Sequence, residues 1–373
     1  MRVAVVAEYY PRSADQVLGI WAHRQALAAA AAGAEVEVFV LERTLGRSAG
    51  RLRTSRGAVK TMLDGLDVRY VRYLSPPRPW SYAQWGALAA PMLARAIREA
   101  GPFDVVHAHN AVPAGDAARR ACANVPLVIS VHGGDVFWTA SRVPRGRQVV
   151  RRALAAARLV LANSAGIETL AREHGARATR VVHLGTDLPA LAPRSAQPMI
   201  TTVGHLVARK RHGDVVRALA DLPQAHYLVI GDGPERGRIA QLARELGVAE
   251  RVELAGQLPH EAALERARRA WLFAMPATDE AFGVAYVEAM AGAMPAIGCA
   301  GEPGPEEIAA AGEGMVLVPA RDPVALAGAI GTLLDDSARR EQLGRAARAT
   351  VERSFSWEAC GQATLAAYEE ARS

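Results

Sequence analysis

Residues 188–204 read LPALAPRSAQPMITTVG, and this stretch decides the fold. Residues 188–198 are rich in Pro and Ala, which is typical of a linker. The following MITTVG has the apolar composition of a buried strand that ends at a glycine. Alternating strand and helix patterns precede the linker and begin again after it. The sequence therefore predicts two consecutive doubly wound α/β arrays, each with a parallel sheet.

The predicted strands are rich in Val and Leu and apolar on both faces, as buried parallel strands are. Helical stretches separate most of them, such as 21–32, which ends at Gly33. Ligands of such sheets bind at the carboxyl ends of the strands, and two facing sheets make a cleft. The predicted strands are RVAVVAEY (2–9), EVEVFVL (35–41), LDVRYVRY (66–73), FDVVHAH (103–109), PLVISVH (126–132), RLVLANS (158–164) and TRVVHLG (179–185), then MITTVG (199–204), HYLVIG (226–231), RVELAG (251–256), WLFAMP (271–276), PAIG (295–298) and MVLVP (315–319).

Length and composition favour a two-domain cytoplasmic protein. The chain has 373 residues, half of them apolar, which is too long for one ordinary core. No apolar run approaches the roughly 20 residues of a membrane-spanning helix. The N-terminus, MRVAVVAEYYP, lacks a small-residue cleavage site and is expected to be a first strand, not a signal peptide. Cys122, Cys299 and Cys360 are far apart and odd in number, so we expect core thiols without a disulfide or metal site.

The formal net charge of +6 hides an asymmetry between the two halves of the chain. Residues 1–196 carry 26 Lys and Arg against 14 Asp and Glu, whereas the remainder carries 18 against 24. Two Arg-rich stretches, 43–56 and 142–152, hold much of the excess. The first half is therefore expected to face an anionic partner. Because no nucleic-acid-reading motif is present, a membrane surface or an anionic acceptor is favoured over nucleic acid, with a solvated basic face as the alternative.

Two carboxylates flank a predicted helix start in EAFGVAYVE, residues 280–288. The Phe-Gly pair stands where a loop turns into a helix predicted over 284–291. The free N–H groups of a helix start form an anion site, and carboxylates accept hydrogen bonds from hydroxyls. A nucleotide sugar has hydroxyls on both sides of its phosphates and suits this arrangement. The alternative is a solvated Glu280 in a loop and an unrelated Glu288 on a helix.

A basic turn follows the first strand of the second half in VGHLVARKRHG, residues 203–213. Lys60 and Lys210 are the two lysines among 44 basic residues, and one of them stands in this turn. Lysine presents a compact charge to a phosphate, and Arg209 beside it can chelate two oxygens. A merely solvated basic turn is less favourable, because cations oppose the dipole of a helix start. The turn is therefore predicted to bind phosphate.

The segment HYLVIGDGPERG, residues 226–237, imitates a dinucleotide-binding fingerprint. Its spacing is G-x-G-x-x-x-G, however, and it lies in the second half of the chain. We therefore expect a tight strand-to-helix turn and disfavour NAD. No resident cofactor is expected.

In the first half, His132 follows a strand, and the two glycines after it allow a ligand to approach closely. His132 could donate to a sugar hydroxyl or be a core histidine, and Asp135 could contact a ligand or cap the next helix. Gly19, in the loop after the first strand, could approach a phosphate, and Trp21 could present a stacking face or belong to the core. His109 and the histidine two residues before it lack an evident third ligand in the sequence, so no metal site is predicted.

Together these segments resemble the retaining glycosyltransferases of family four, whose GT-B fold has two facing Rossmann-like domains. The resemblance covers nearly the whole chain, and the segments stand in the family's order. EAFGVAYVEAMAGAMPAIG (280–298) is similar to the family's Glu-x7-Glu segment, and VGHLVARK (203–210) to its donor-phosphate turn. The other matching segments are DVVHAHNAVPAG, LVLANSAGI, VVHLGTDL, VIGDGPER and FSWE. One departure is His205, where the family often has Arg, and Arg209 is expected to supply that charge.

The resemblance implies donor-binding roles for the second half. Glu280 would contact the transferred sugar, and Glu288 would hold the ribose hydroxyls. The backbone of Phe282, Gly283 and Val284 would receive the diphosphate or the sugar.

The resemblance also implies roles for the basic residues and for the first half. Arg209 and Lys210 would neutralise the departing diphosphate, so that no divalent metal is required. His205 belongs to the same turn, with its role left open. In the first half, His132 would contact the sugar, the Gly19 backbone would close on the phosphates, and the acceptor side would contain Trp21, His109 and Asp135.

The expected domains are residues 1–190 on the acceptor side, 197–354 for the nucleotide sugar, and a helix in 355–373 that packs back on the first domain. A UDP-sugar is the favoured donor, with a GDP-sugar next. The acceptor hydroxyl could belong to a lipid-linked molecule or polysaccharide precursor, reached by peripheral membrane contact, or to a soluble small molecule. The alternative functions are a nucleotide-sugar 2-epimerase on the same fold and a catalytically silent binding protein.

Overall fold

The computed structural model describes residues 1–12, 15, 18–44 and 59–373. They form two compact units, of which unit 1 contains Met1–Leu184 with Trp357–Ser373, and unit 2 contains Gly185–Ser356. Each unit has a sheet of parallel strands with helices between them, so the predicted pair of doubly wound α/β arrays is confirmed.

The sheet of unit 1 has the order β3-β4-β2-β1-β5-β6-β7-β8. Strands lie on both sides of β1, so the order reverses there and places the ends of β1 and β5 side by side, with Ala7 opposite His109. Such a switch point is where doubly wound sheets bind ligands. The strands are β1 (Arg2–Ala7), β2 (Glu35–Thr44), β3 (Val59–Leu63), β4 (Leu66–Leu74), β5 (Val105–His109), β6 (Leu127–Val131), β7 (Leu159–Ala162) and β8 (Thr179–Val181).

One edge strand of this sheet was not predicted: β3 runs antiparallel to β4. Asp64 and Gly65 connect the two strands with φ values of 47° and 84°. Two successive residues with positive φ form the tight turn that suits a two-residue hairpin. Most of β3 is exposed, so it lacks the doubly apolar pattern that marks the other strands.

The helices of unit 1 include the last helix of the chain. They are α1 (Ile20–Ala31), α2 (Trp85–Ala100), α3 (Asp116–Ala121), α4 (Ala140–Arg142), α5 (Gly146–Ala156), α6 (Ala165–Glu173) and α14 (Trp357–Arg372). The α14 helix begins two residues later than Phe355 and packs against α1. Tyr368 is fully buried in the core of unit 1, and Trp357 and Leu365 pack at its margin.

The sheet of unit 2 has the order β11-β10-β9-β12-β13-β14, and its described pairs are parallel. The β9 strand lies between β10 and β12, so this sheet also has a switch point. Its strands are β9 (Met199–Val203), β10 (His226–Ile230), β11 (Val252–Gly256), β12 (Leu272–Ala274), β13 (Ala296–Cys299) and β14 (Met315–Val318). Its helices are α7 (His212–Ala218), α8 (Arg236–Glu245), α9 (His260–Ala267), α10 (Val284–Ala291), α11 (Pro303–Ala311), α12 (Pro323–Asp335) and α13 (Ser337–Ser354).

Two composition-based expectations concern thiols and membrane spans. Cys299 and Cys360 are buried free thiols, whereas Cys122 is only half-buried, so the expectation of three core thiols is wrong for Cys122. Within the part of the chain that the structure describes, no helix combines the length and apolarity needed to span a membrane.

Candidate functional site

The turn after β9 packs backbone to backbone against the turn after β10. The amide of Gly204 donates to the carbonyl of Ile230 at 2.9 Å, and that of Leu206 donates to the carbonyl of Asp232 at 2.9 Å. A Cβ atom on Gly231 would lie 2.0 Å from the Gly204 carbonyl oxygen. The glycine after β10 therefore allows the two turns to pack closely. This packing fixes the path of the chain into the basic turn at 208–210.

Lys210 and Glu280 form the central ion pair of unit 2. The Lys210 Nζ atom lies 2.5 Å from Oε2 of Glu280, and Nη1 of Arg209 lies 3.5 Å from the same oxygen. The side chains of Lys210 and Glu280 are 12% and 8% exposed, whereas that of Arg209 is 45% exposed. The structure thus brings these three predicted residues together, although 70 positions separate Lys210 from Glu280. A buried pair of this kind interacts more strongly than an exposed one.

The predicted helix over 284–291 is confirmed as α10, and Gly283 precedes it with a φ of 86°. A Cβ atom at Gly283 would lie 2.4 Å from the ring of Tyr286, so glycine is required by both conformation and space. Phe282 is buried, and its ring lies 5.6 Å from that of Phe355. No acidic residue stands in the first turn of α10, which begins at Val284. The first amides of a helix lack intrahelical acceptors, so this start can bind an anion.

Glu288, the second predicted carboxylate, lies within α10 and faces α9. Its Oε1 atom lies 3.5 Å from Nε2 of His260, the first residue of α9. The side chain of Glu288 is 12% exposed. A carboxylate in this position can accept hydrogen bonds from a vicinal diol, and His260 can orient it.

The backbone of Glu280 is held by the segment that begins α11. Its amide donates to Oε2 of Glu302 at 2.9 Å, and its carbonyl accepts from the amide of Gly304 at 3.1 Å. Thr278, two residues earlier, donates from its amide to the carbonyl of Arg209 at 2.8 Å. The loop that carries Glu280 is therefore tied both to the basic turn and to the start of α11.

His205, the departure from the family pattern, has an exposed side chain at the start of the basic turn. The neighbouring His212 is buried, and its Nδ1 atom shares a hydrogen bond with the Tyr227 hydroxyl at 3.1 Å. Burial, together with the charge of Lys210, lowers the pKa of His212 to about 4. His212 is therefore neutral near pH 7 and adds no charge to the turn.

In unit 1, His109 and His132 form a stacked pair at the ends of β5 and β6. Nδ1 of His109 and Nε2 of His132 share a hydrogen bond at 3.0 Å, and the rings are 4° from parallel. Burial lowers the pKa of His132 to about 4 and that of His109 well below its ordinary value. Both rings are therefore neutral near pH 7. His107 packs beside them and bonds to Ser130 at 2.7 Å and Tyr368 at 2.8 Å.

Asp135 lies in the turn after β6 and is buried. Its Oδ1 atom accepts a hydrogen bond from the amide of Ala111 at 2.8 Å, so it caps the turn after β5 and not the helix that follows it. Burial raises the pKa of Asp135 to about 7. Oδ2 of Asp135, Nδ1 of His132 and Nε1 of Trp21 are buried and have no hydrogen-bond partner among the described residues. Buried polar atoms normally have partners, so these three atoms are available for hydrogen bonds with a bound molecule.

Gly19 and Trp21 stand at the start of α1. Gly19 has a φ of 68°, and a Cβ atom there would lie 2.2 Å from the backbone carbonyl of Tyr9. The Trp21 ring is half-buried with its centroid 6.1 Å from that of His132. The structure thus places Trp21 beside the histidine pair. The phosphate contact expected of Gly19 stays a prediction.

The two Arg-rich stretches differ in what the structure describes. Arg43 lies over the ring of Trp85 at 4.9 Å, and the rest of the first stretch, at 45–56, lies outside the described residues. In the second stretch the arginines surround the start of α5, all of them are exposed, and none forms an ion pair with a described residue. They are Arg142, Arg145, Arg147, Arg151 and Arg152.

The described residues contain no group of three or more His, Cys, Asp or Glu side chains that could hold a metal ion.

Comparison with known proteins places this geometry in a family. The family model described as "Glycosyl transferases group 1" matches residues 186–350, and that described as "Glycosyltransferase Family 4" matches residues 18–189. The chain is 30% identical over 346 residues to D-inositol 3-phosphate glycosyltransferase 1 of Catenulispora acidiphila, covering 83% of this chain and 82% of that protein. The chain belongs to glycosyltransferase family 4.

Further similarities of this family-4 glycosyltransferase extend to a second curated relative and to a solved structure. It is 28% identical over 282 residues to the GDP-mannose-dependent monoacylated alpha-(1-6)-phosphatidylinositol monomannoside mannosyltransferase of Corynebacterium glutamicum, covering 68% of this chain and 71% of that enzyme. Its fold matches that of Anabaena HepE in complex with UDP and glucose, with a TM-score of 0.77, 20% identity and 99% of each chain covered. The predicted GT-B fold is therefore confirmed.

Two residues of the candidate site were not predicted from the sequence. Glu302 follows β13, the parallel neighbour of β12, and the ends of neighbouring parallel strands lie at one edge of a sheet. That rule could have placed Glu302 near Glu280. His260 gives no comparable signal, because its pairing with Glu288 depends on how α9 and α10 pack.

Proposed function

We propose that this glycosyltransferase moves a sugar from a nucleotide sugar to an acceptor hydroxyl with retention of the anomeric configuration. The observation that carries the proposal is the meeting of Lys210, Arg209 and Glu280 in the loop that leads into α10. Two cations and a helix start suit a diphosphate, and the carboxylate suits sugar hydroxyls.

The charge that develops in the reaction accounts for these residues. When the bond between the sugar C1 and the phosphate oxygen breaks, the diphosphate gains negative charge, which Lys210, Arg209 and the amides at the start of α10 stabilise. The acceptor oxygen then bonds to C1 on the face that the diphosphate leaves, and its proton passes to a phosphate oxygen. These cations supply the positive charge that a divalent metal would otherwise bring, so we propose metal-independent turnover.

A UDP-sugar is the favoured donor and a GDP-sugar the next. The solved HepE complex contains UDP and glucose, which favours UDP, whereas the Corynebacterium relative is named for GDP-mannose. Thermal-shift measurements with UDP, GDP, ADP and their sugars test the choice, because a ligand that binds the folded state raises its melting temperature. Turnover of the stabilising donor with EDTA present tests metal independence. Incubation of the donor alone, followed by analysis for an epimerised sugar, separates a transferase from a 2-epimerase.

We propose further that the acceptor is an anionic polyol, free or lipid-linked. The two curated relatives are named for acceptors built on inositol and phosphate. In unit 1, the buried unpaired atoms of Asp135, His132 and Trp21 suit hydroxyl groups, and the exposed arginines at 142–152 suit negative charge. A lipid-linked acceptor would require contact with the cytoplasmic face of a membrane through this basic unit.

Flotation with vesicles that contain anionic lipids tests membrane contact. Binding at low salt that weakens at physiological salt is expected for an electrostatic attachment. Replacing Arg147, Arg151 and Arg152 together by Gln should abolish it. Vesicles of neutral lipid provide the control. Absence of binding at low salt would reject a lipid-linked acceptor and leave a soluble polyol phosphate, to be tested by product formation.

A further inference from the structure

The loop at 279–283 has a residue with positive φ at each end. Asp279 has a φ of 54° and Gly283 a φ of 86°. Non-glycine residues in this region are strained and persist only where surrounding contacts hold them. The loop forms no strand or helix of its own, so its conformation depends on groups outside it.

The start of α11 supplies two of these external contacts, and both act on Glu280. Oε2 of Glu302 accepts from the Glu280 amide at 2.9 Å, and the Gly304 amide donates to the Glu280 carbonyl at 3.1 Å. A Cβ atom on Gly304 would lie 2.1 Å from the Phe282 carbonyl oxygen, so the two segments are in direct backbone contact. The peptide groups on both sides of the Glu280 Cα atom are therefore fixed by 302–304, and with them the direction of its side chain.

The Glu302 group that accepts this hydrogen bond is a carboxylate, and its surroundings disfavour a negative charge. Burial raises its pKa, and the charges of Asp279 and Glu280 act in the same direction, whereas the amides of the loop lower it. A neutral side-chain carbonyl would accept the same hydrogen bond without repelling Glu280. Through this hydrogen bond a second carboxylate stands beside Glu280, whose own carboxylate pairs with Lys210.

We propose that Glu302 is a positioning residue for sugar transfer. By accepting a hydrogen bond from the Glu280 backbone amide, Glu302 fixes the position of the Glu280 carboxylate. The negative charge of Glu302 also weakens the binding of the departing diphosphate. This inference rests on the proposed function, in which Glu280 contacts the transferred sugar. Glu302 itself need not touch the substrate.

Two substitutions separate the hydrogen bond from the charge. Glu302→Gln keeps a carbonyl oxygen that can accept from the Glu280 amide but removes the charge. We expect its kcat to stay within about threefold of wild type and its Kd for UDP to fall about threefold, since one nearby repulsion is lost. Glu302→Ala removes both features. We expect it to lower kcat on the order of tenfold or more, because small misplacement of a reacting group is costly, with UDP bound at least as tightly as by wild type.

Glu306→Ala is the matched control. Glu306 lies in the first turn of α11, close to Glu302 in sequence, and its side chain is exposed. It also accepts a backbone hydrogen bond, but from the Gly301 amide, at 2.7 Å. Its kcat and UDP affinity should equal those of wild type.

Amide hydrogen exchange of peptides that cover 278–283 gives a readout that does not depend on catalysis. Protection should fall in Glu302→Ala and persist in Glu302→Gln. Unchanged protection in Glu302→Ala would overturn the proposal that Glu302 holds the Glu280 backbone, whether or not the enzyme turns over a donor. If protection falls as expected while the wild-type protein neither binds nor uses a nucleotide sugar, the proposed function is wrong. The structural role of Glu302 in holding the Glu280 backbone is then still supported.

Kinetics decide the positioning role. A wild-type kcat in Glu302→Ala would overturn it. Equal losses of kcat in the Gln and Ala variants would also overturn it, because the hydrogen bond would then not be what matters. Loss of UDP affinity in both would show that Glu302 only maintains the fold of the loop.

Discussion

Replacing Lys210 by Ala should destabilise unit 2 and abolish most of the turnover. The Lys210 and Glu280 side chains are 12% and 8% exposed, so the substitution leaves a carboxylate without its main partner in a largely desolvated place. Breaking a buried pair in this way costs about 3–5 kcal/mol. Because Arg209 lies 3.5 Å from the same oxygen and can partly replace the lysine, we expect the lower value, about 3 kcal/mol.

The melting transition of unit 2 should report this loss. For a unit of its size, about 3 kcal/mol corresponds to roughly 6–12 °C in melting temperature, measurable by calorimetry. In the Lys210→Ala, Glu280→Gln double variant the buried charge is gone, and we expect at least half of the lost stability to return. Turnover should not return, because the loss of leaving-group stabilisation, on the order of 10²-fold or about 2.7 kcal/mol, stays in both variants.

The other lysine of the chain provides the control for this experiment. Lys60 pairs with Asp67 at 3.0 Å, but its side chain is 54% exposed. Lys60→Ala should therefore change stability by less than about 1 kcal/mol. A Lys210→Ala variant that is as stable as Lys60→Ala and retains normal turnover would refute both the buried pair and its role. Stability that does not recover in the double variant would refute the coupling alone.

Three further perturbations follow from the same geometry. Glu280→Gln alone should lower turnover yet bind UDP about 3–10-fold more tightly by calorimetric titration, because Lys210 loses a competing anion; weaker binding would contradict the competition. Gly283→Ala places a Cβ atom 2.4 Å from the Tyr286 ring at a backbone φ of 86°, so it should lower the free energy of unfolding by about 2 kcal/mol or more. Gly237 has open space around it, so Gly237→Ala should be neutral or stabilising. Equal effects of the two substitutions would contradict the steric account. The pKa of buried His107 is about 3, against about 6.5 unfolded, so the unfolded state binds more protons between these values. The free energy of unfolding of unit 1 should therefore be highest above pH 6.5 and decrease as the pH falls below it. In His107→Gln this decrease should be smaller. Urea titrations that give the same pH profile for both proteins would contradict this.

The central strands of both sheets could be predicted because they are buried on two faces, which leaves a nearly unbroken apolar run in the sequence. The exception, β3, is exposed along most of its length and forms because Asp64 and Gly65 make a hairpin turn. Its formation depends on turn geometry and on an edge of β4 that is open for pairing. Neither property produces an apolar pattern in residues 59–63, so β3 could not be predicted from the sequence.

The candidate site could be predicted as a set of residues but not as a set of contacts. Lys210 and Glu280 each stood out by composition or spacing, while their ion pair depends on the loop path after β12. Asp135 shows a different limit, because either a ligand contact or a helix cap fits its local sequence. The structure shows that Oδ1 of Asp135 caps the turn at Ala111, which begins after a neighbouring strand, while Oδ2 has no hydrogen-bond partner among the described residues.

The ion pair between Lys210 and Glu280 also bears on how the proposed reaction would end. A nucleotide sugar that draws Lys210 onto its phosphates must separate the pair, and it offers sugar hydroxyls to the carboxylate that is released. A nucleoside diphosphate separates the same pair but brings no hydroxyl to Glu280, which is then left desolvated near the negative charge of Glu302. An unpaired buried carboxylate is costly. On the proposed function, we therefore expect the donor to be held more favourably than the product at this point, so that the departure of the sugar itself favours release of the diphosphate.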